Sequence, residues 1–167
     1  MTHTWLTVVE DALSRVDESL TATLEGLDPD DLARRPGPDA NPVGWLAWHL
    51  TRVLDGHLAD LVGAPQVWEE WRVRLDLPYD AGATGYGQSS AEVGAFRADA
   101  ASLTGYWAAT WHRTREVLRQ LAGEDAERVV DDSWDPPVTV SSRLVSVVND
   151  VTQHVGQMGY ARGLLGA

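Results

Sequence analysis

The sequence has 167 residues, enough for one domain with a single hydrophobic core, and we expect that domain to span residues 1–167. Its 25 acidic and 13 basic residues give a net charge of −12, and such a surface repels nucleic acid and anionic membranes. The absence of cysteine excludes disulfides, thiolate-bound metals and a cysteine nucleophile, so any metal must be held by histidine, carboxylates or water.

The N-terminal segment lacks the basic region, apolar run and small-residue cleavage site of a signal peptide, and His3 is expected to be solvated. No apolar stretch reaches membrane-spanning length, so the sequence predicts a cytoplasmic protein.

The first predicted helix runs from about Thr4 to Gly26, with apolar residues at three- and four-residue steps. Turn formers fill 28–38 and leave room for at most a short helical turn.

The second predicted helix has a clear start, with Asn41 as N-cap and Pro42 as the first helical residue, where its missing N–H costs nothing. It runs to about Val62, before Gly63. Apolar residues cover most of its circumference, which indicates a largely buried helix. His49 lies centrally on the most apolar stripe.

Residues 64–89 form a long connection rich in tryptophan, tyrosine, proline and glycine, without clean periodicity. Connections of this length are uncommon inside compact domains and often form lids or binding loops. A compatible interpretation is a further short helix over 66–75 that packs its tryptophans on the bundle.

The third predicted helix starts at Ser89 or Ser90, where Ser89 and Glu92 have the spacing of a capping box, and continues to about Ala122. The last helix covers about 139–165. Four long helices without convincing strand alternation predict an all-α fold, an up-down four-helix bundle with a long aromatic-rich connection between helices two and three.

The last helix carries Asp150 and His154, which lie one helical turn apart on the same face. A carboxylate on an apolar stripe requires a partner, and a metal ion is one such partner. Together with His49 the pair would form a three-ligand site that leaves positions open for water or substrate, as catalytic metals require. For each histidine alone, the competing interpretation is a hydrogen-bonded core residue.

Two stretches carry a resemblance to a known family: NPVGWLAWHL, which ends in His49-Leu50, and residues 150–165, which begin DVTQHVGQ. They resemble the DinB-like metal-binding four-helix bundles, a superfamily that includes mycothiol-dependent maleylpyruvate isomerases and the bacillithiol and mycothiol S-transferases. The helix order also agrees, so the resemblance covers nearly the whole chain.

The resemblance implies a divalent metal, zinc or sometimes nickel, bound by His49, Asp150 and His154. In the family the middle ligand is usually histidine, and it is glutamate in the isomerase branch. Asp150 places the chain closer to the isomerase branch, because its middle ligand is also a carboxylate, although aspartate is one methylene shorter than glutamate. Direct ligation by Asp150, ligation through water and orientation of His154 stay open as alternatives.

The implied function is a metal-dependent S-transferase or isomerase that acts on a small electrophile. With no cysteine of its own, the protein would use an external thiol, and the resemblance supplies mycothiol or a similar low-molecular-weight thiol. The alternative is a non-catalytic metal-binding bundle with a stress-related or accessory role. An open pocket at the metal, lined by Trp45, Trp68 or Trp134, would favour the enzyme.

Further polar residues have competing interpretations. Gln157 is a candidate for orienting a ligand or simply a polar residue at the bundle end. Arg52 and Arg162 are candidates for anchoring an anionic substrate, although exposed arginines are usually solvated. His57 lies about 12 Å along the helix from His49, too far to share an ion, and is expected to be a hydrogen-bonded structural histidine.

Two expectations concern packing. Gly156 is expected to allow another helix to approach closely. The eight tryptophans indicate either surface anchors of a homodimer or a core that is short of phenylalanine, which occurs once.

Overall fold

The computed structural model describes residues 4–166, so His3 lies outside the described residues. Within 4–166 the chain forms seven helices and one two-stranded antiparallel sheet, and the predicted all-α fold is confirmed. The helices are α1 Thr4–Leu24, α2 Pro29–Ala33, α3 Val43–Val62, α4 Trp68–Leu75, α5 Ser90–Gly94, α6 Ala100–Leu121 and α7 Val140–Leu165. The strands, β1 Val129–Asp131 and β2 Val138–Thr139, lie between α6 and α7 and were not predicted.

The four long helices α1, α3, α6 and α7 form the bundle. Helix α3 packs against α7 and α6, and α1 packs against the same two helices from the other side. The apolar repeat of α1 explains this position, because Leu13, Val16, Leu20 and Leu24 are all buried. The extensive α3–α7 interface brings the centre of the second long helix against the centre of the last one. No helix in the described part of the chain combines the length and apolar composition that a bilayer crossing requires.

Helix α3 is largely buried, as predicted, and ends at Gly63, whose φ of 62° is left-handed. Its start differs by one residue from the prediction. Pro42, not Asn41, is the N-cap, and it has extended backbone and no side-chain cap hydrogen bond. The helix therefore depends on burial of its apolar surface for its stability rather than on a polar cap.

The long connection contains a short helix, α4, which begins two residues later than the interpretation over 66–75 and ends at the same residue. Trp68 is buried, and Trp71 packs with its ring centroid 6.2 Å from that of Tyr106 on α6. The chain from Asp76 to Gln88 then forms an irregular loop that returns to α3, where Gln88 Oε1 accepts a hydrogen bond from Trp45 Nε1 at 2.8 Å.

The prediction of one continuous third helix is wrong, because the segment is divided into α5 and α6. The capping box of Ser89 and Glu92 is present at the start of α5. A second cap interrupts the segment, since the Asp99 side chain accepts from Ser102 N and starts α6. Phe96 lies between the two helices and is completely buried, so the break places an aromatic side chain in the core.

The expectation for Gly156 is also wrong. Gly156 is exposed, and a Cβ added there would meet nothing within 4 Å.

Most of the tryptophans lie in the core, which favours the interpretation that they fill a core short of phenylalanine. The homodimer stays a prediction. The buried members are Trp45, Trp48, Trp68, Trp107 and Trp111.

Candidate metal centre

The α3–α7 interface brings together the three predicted metal ligands. Ligand atoms of His49, Asp150 and His154 all lie within 4.8 Å of one another. The two imidazole rings meet nearly edge to face, with centroids 4.7 Å apart and an interplanar angle of 78°. Nε2 of His154 lies 3.7 Å from Oδ1 of Asp150. The one-turn spacing on α7 and the central position of His49 on α3 therefore produce a compact cluster.

A stacked ring and a hydrogen bond fix the orientation of the His49 side chain. It stacks on Trp45, with centroids 4.8 Å apart and planes inclined by 16°. Its Nδ1 lies 2.6 Å from the carbonyl oxygen of Thr84, which only accepts, so Nδ1 carries the proton. Burial lowers the pKa of His49, although the bond to Thr84 opposes this shift. The ring is therefore held neutral with the lone pair on Nε2, which is the form that ligates a metal.

His154 is oriented in the same way from within its own helix. Its Nδ1 lies 2.9 Å from Oε1 of Gln157, an acceptor three residues further along α7. The proton therefore belongs on Nδ1, and Nε2 presents its lone pair on the side of Asp150. Hydrogen bonds of this kind, from the distal ring nitrogen to a carbonyl or amide oxygen, accompany metal-binding histidines.

Asp150 has an unsatisfied oxygen. Its Oδ2 is buried and has no hydrogen-bond partner among the described residues. Leaving a buried carboxylate oxygen without a donor is costly, and a cation in the cluster would remove that cost. Two imidazole nitrogens and one carboxylate form a donor set that suits zinc or nickel. The residues present thus fit a divalent ion.

The loop after α4 supplies two site residues that sequence reasoning missed, Thr84 and Gly85. Gly85 has a φ of +98°, and a Cβ there would lie 2.6 Å from His49 Nδ1 and 2.9 Å from Trp45 Cζ2. Glycine is therefore required both by the positive φ of the backbone and by the close contact with the His49 ring. The only sequence signal was the density of glycine in the connection.

We expect Gly85→Ala to weaken metal binding by about tenfold to a hundredfold, because the new methyl group displaces His49 from the Thr84 carbonyl. Gly87→Ala is the matched control, since Gly87 also has a positive φ, +74°, but open space around its Cβ position. Both variants should lose about 1–2 kcal/mol of stability from backbone strain. Chelator competition measures the difference, and equal metal affinities in the two variants would contradict the assigned role of Gly85.

A cleft of about 440 Å³ opens beside the cluster, and His49 and Asp150 form part of its wall. Its lining differs from the expected one. Trp45 and Trp68 are buried in the core, and Trp134 is exposed outside the cleft. Polar and aromatic side chains replace them along the wall: Arg52, His57, Asp60, Gln66 and Tyr86.

The two predicted arginine anchors are engaged by the protein itself. Arg52 is 3% exposed, donates from Nε to the Ala83 carbonyl at 3.1 Å and from Nη1 to Gln66 Oε1 at 2.8 Å. It lines the cleft but primarily fixes the wall. Arg162 donates to the carbonyls of Ala22 and Thr23 at the end of α1 and does not line the cleft. These bonds tie α7 to the end of α1, and the role of Arg162 as a substrate anchor stays a prediction.

His57 is hydrogen-bonded, as expected, because its Nδ1 lies 2.7 Å from Nη1 of Arg143 at the start of α7. Burial and the Arg143 charge lower the pKa of His57. Its ring is also part of the cleft wall, a position that sequence reasoning did not foresee.

Comparisons with known proteins agree with this architecture. A family model described as mycothiol-S-transferase matches residues 8–167. Among solved structures, one titled as the crystal structure of the conserved protein of locus from Enterococcus faecalis is similar to the chain. It has 29% sequence identity and a TM-score of 0.91, and the alignment covers 100% of this chain and 99% of that one. A search of curated proteins gives no match.

Proposed function

The chain belongs to the mycothiol-S-transferase family, and we propose that it is a divalent-metal-dependent transferase that uses mycothiol or a similar low-molecular-weight thiol. One observation carries this proposal: candidate ligands His49 and Asp150 form part of the wall of an open cleft of about 440 Å³. Cavities of this size accommodate small molecules. A sealed cluster would instead have favoured the non-catalytic alternative.

The proposed ligands are His49 and His154 through Nε2 and Asp150 through a carboxylate oxygen. A bound zinc or nickel ion would supply a Lewis acid that stabilises a thiolate at neutral pH. The protein's own contribution is orientation. Thr84 and Gln157 hold the two rings in the required tautomer, at 2.6 and 2.9 Å.

The proposed reaction is substitution by sulfur at an electrophilic carbon. The carbon–sulfur bond forms, the bond from carbon to the leaving group breaks, and its electron pair departs with the leaving group. The thiol proton passes to solvent. Because the sequence contains no cysteine, the sulfur must belong to a small thiol in the cleft, and its walls bring the two reactants together.

The test combines metal analysis with turnover. We expect untagged protein to carry about one zinc or nickel ion per chain, and to accelerate formation of the fluorescent adduct of mycothiol with monochlorobimane. Chelation should abolish this rate and metal addition should restore it. Full metal loading without acceleration, with mycothiol and bacillithiol alike, would contradict the proposal and support a non-catalytic metal-binding protein.

A further inference from the structure

His57 lines the same cleft as His49 and Asp150 but does not belong to the metal cluster. Its Nδ1 lies 2.7 Å from Nη1 of Arg143. A guanidinium group contains only donors, so Nδ1 of His57 must accept. The proton of the neutral ring is therefore on Nε2, which leaves this nitrogen as a hydrogen-bond donor.

Arg143 is itself anchored, so this choice of tautomer is built into the fold. Its side chain is 20% exposed, and Nη2 lies 3.6 Å from Oδ2 of Asp131 on β1. Protonation of His57 would place two donors against each other at the Arg143 contact. Burial and Arg143 lower the pKa of His57, while the nearby carboxylates Asp60 and Asp150 oppose that shift. The ring is therefore an uncharged donor.

The position of His57 along the cleft determines what it can contact. His57 lies two helical turns after His49 on α3, about 12 Å along the axis. Arg143 lies about two turns before Asp150 on α7. The metal cluster and the His57–Arg143 pair therefore occupy different levels of the same α3–α7 interface. The cleft reaches the cluster at His49 and Asp150 and reaches the pair at His57.

We propose that His57 donates a hydrogen bond from Nε2 to an oxygen of the thiol co-substrate, at the end of that molecule remote from its sulfur. This inference rests on the proposed function, which places the sulfur beside His49, Asp150 and His154. The neighbouring polar residues Asp60 and Gln66 suit a hydroxyl-rich molecule better than an apolar one. The co-substrate class is a polar thiol long enough to span the cleft, and free cysteine is too short.

Calorimetric titration of the metal-loaded full-length protein with mycothiol and with cysteine tests this inference. We expect His57→Phe to raise the Kd for mycothiol about tenfold and to leave that for cysteine unchanged. His57→Gln should bind both thiols like wild type, because its amide can accept from Arg143 and still donate. His112→Phe is the control, because His112 is an exposed histidine on α6.

Side-chain nitrogen NMR supplies a readout that does not depend on turnover. We expect Nδ1 of His57 to be unprotonated and Nε2 protonated in wild type, and Arg143→Met to abolish that preference. The reverse tautomer in wild type overturns the inference, as does an unchanged mycothiol Kd in His57→Phe with its metal retained. Equal weakening for cysteine also overturns it. If neither thiol binds metal-loaded wild type, the proposed function fails and this inference fails with it.

Discussion

Alanine at His154 is expected to abolish stoichiometric metal binding while the protein stays folded. Only three protein ligands are proposed, so loss of one removes a large part of the binding free energy, and we expect at least a hundredfold weakening. His154 gives the cleaner test because its side chain is 19% exposed and is therefore less buried than that of His49. Mass spectrometric metal analysis and chelator competition measure the effect.

His49→Ala should remove the metal as well, but with a structural cost. His49 is 8% exposed and stacks on Trp45, so its removal leaves a cavity that destabilises the fold by about 2 kcal/mol. Comparing the two variants separates loss of a ligand from loss of packing. Normal metal content in folded His154→Ala would show that the cluster is not the metal site.

The substitution Asp150→Asn distinguishes direct ligation by Asp150 from a role that only orients His154. Because Oδ2 is buried without a partner, Asp150→Asn should leave the metal-free protein as stable as wild type or more stable. If Asp150 is a direct ligand, Asp150→Asn should weaken metal binding as strongly as His154→Ala does. If Asp150 only orients His154, the same substitution should weaken metal binding by about tenfold to a hundredfold. Unchanged affinity in Asp150→Asn would exclude both roles.

How much of the site could be foreseen depends on the kind of structure that carries each residue. The Asp150–His154 pair follows from helix geometry alone, because residues four apart share a face. His49 could be selected as a candidate from its apolar surroundings, but its approach to α7 depends on tertiary packing. Thr84 and Gly85 lie in an irregular loop, where no periodic signal shows which carbonyl will meet a side chain 35 residues away in sequence.

The errors in the fold have a similar cause. The periodicity of the third predicted helix continues through the break between α5 and α6, because Phe96 is also buried. Only the Asp99 cap marks the second start, and aspartate occurs in many other settings. Arg52 is a candidate substrate anchor because the sequence shows its charge, and that role stays a prediction. Its burial and its bonds to Ala83 and Gln66 appear only in three dimensions.

The buried carboxylate of Asp55 connects α3 to both α4 and α6. Its oxygens accept from the backbone N–H groups of Val67 and Trp68 at 2.9 and 2.7 Å and from the Tyr106 hydroxyl at 2.9 Å. Arg52 Nη1 lies 3.9 Å from it. Burial is the main cause that raises the pKa of Tyr106, and the Asp55 charge raises it further. The hydroxyl of Tyr106 therefore stays protonated and donates. Asp55 therefore supports Arg52, and Arg52 in turn binds the Ala83 carbonyl, which precedes Thr84 in the loop at the candidate metal cluster.

Asp55→Ala is accordingly expected to lower the free energy of unfolding by about 3–5 kcal/mol, because it leaves a buried arginine without its charge partner and three donors without an acceptor. Asp55→Asn should cost less, since its amide oxygen still accepts hydrogen bonds. The matched control is Asp60→Ala, which removes an exposed carboxylate from the same helix and should change stability by less than about 0.5 kcal/mol. Urea unfolding should be measured on metal-free protein, because a ligand bound only by the folded state adds apparent stability.

The same variants test whether the Asp55–Arg52 contacts also maintain the metal site. If Arg52 holds the loop through the Ala83 carbonyl, then Asp55→Asn should weaken metal binding although it touches none of the three ligands. Arg52→Met should weaken it further by releasing the loop directly. The double variant combines Asp55→Ala with Arg52→Met. If its loss of stability equals the sum of the two single losses, Asp55 and Arg52 act independently. A double variant no less stable than Asp55→Ala alone would show that most of the cost of losing Asp55 is the unpaired charge of Arg52.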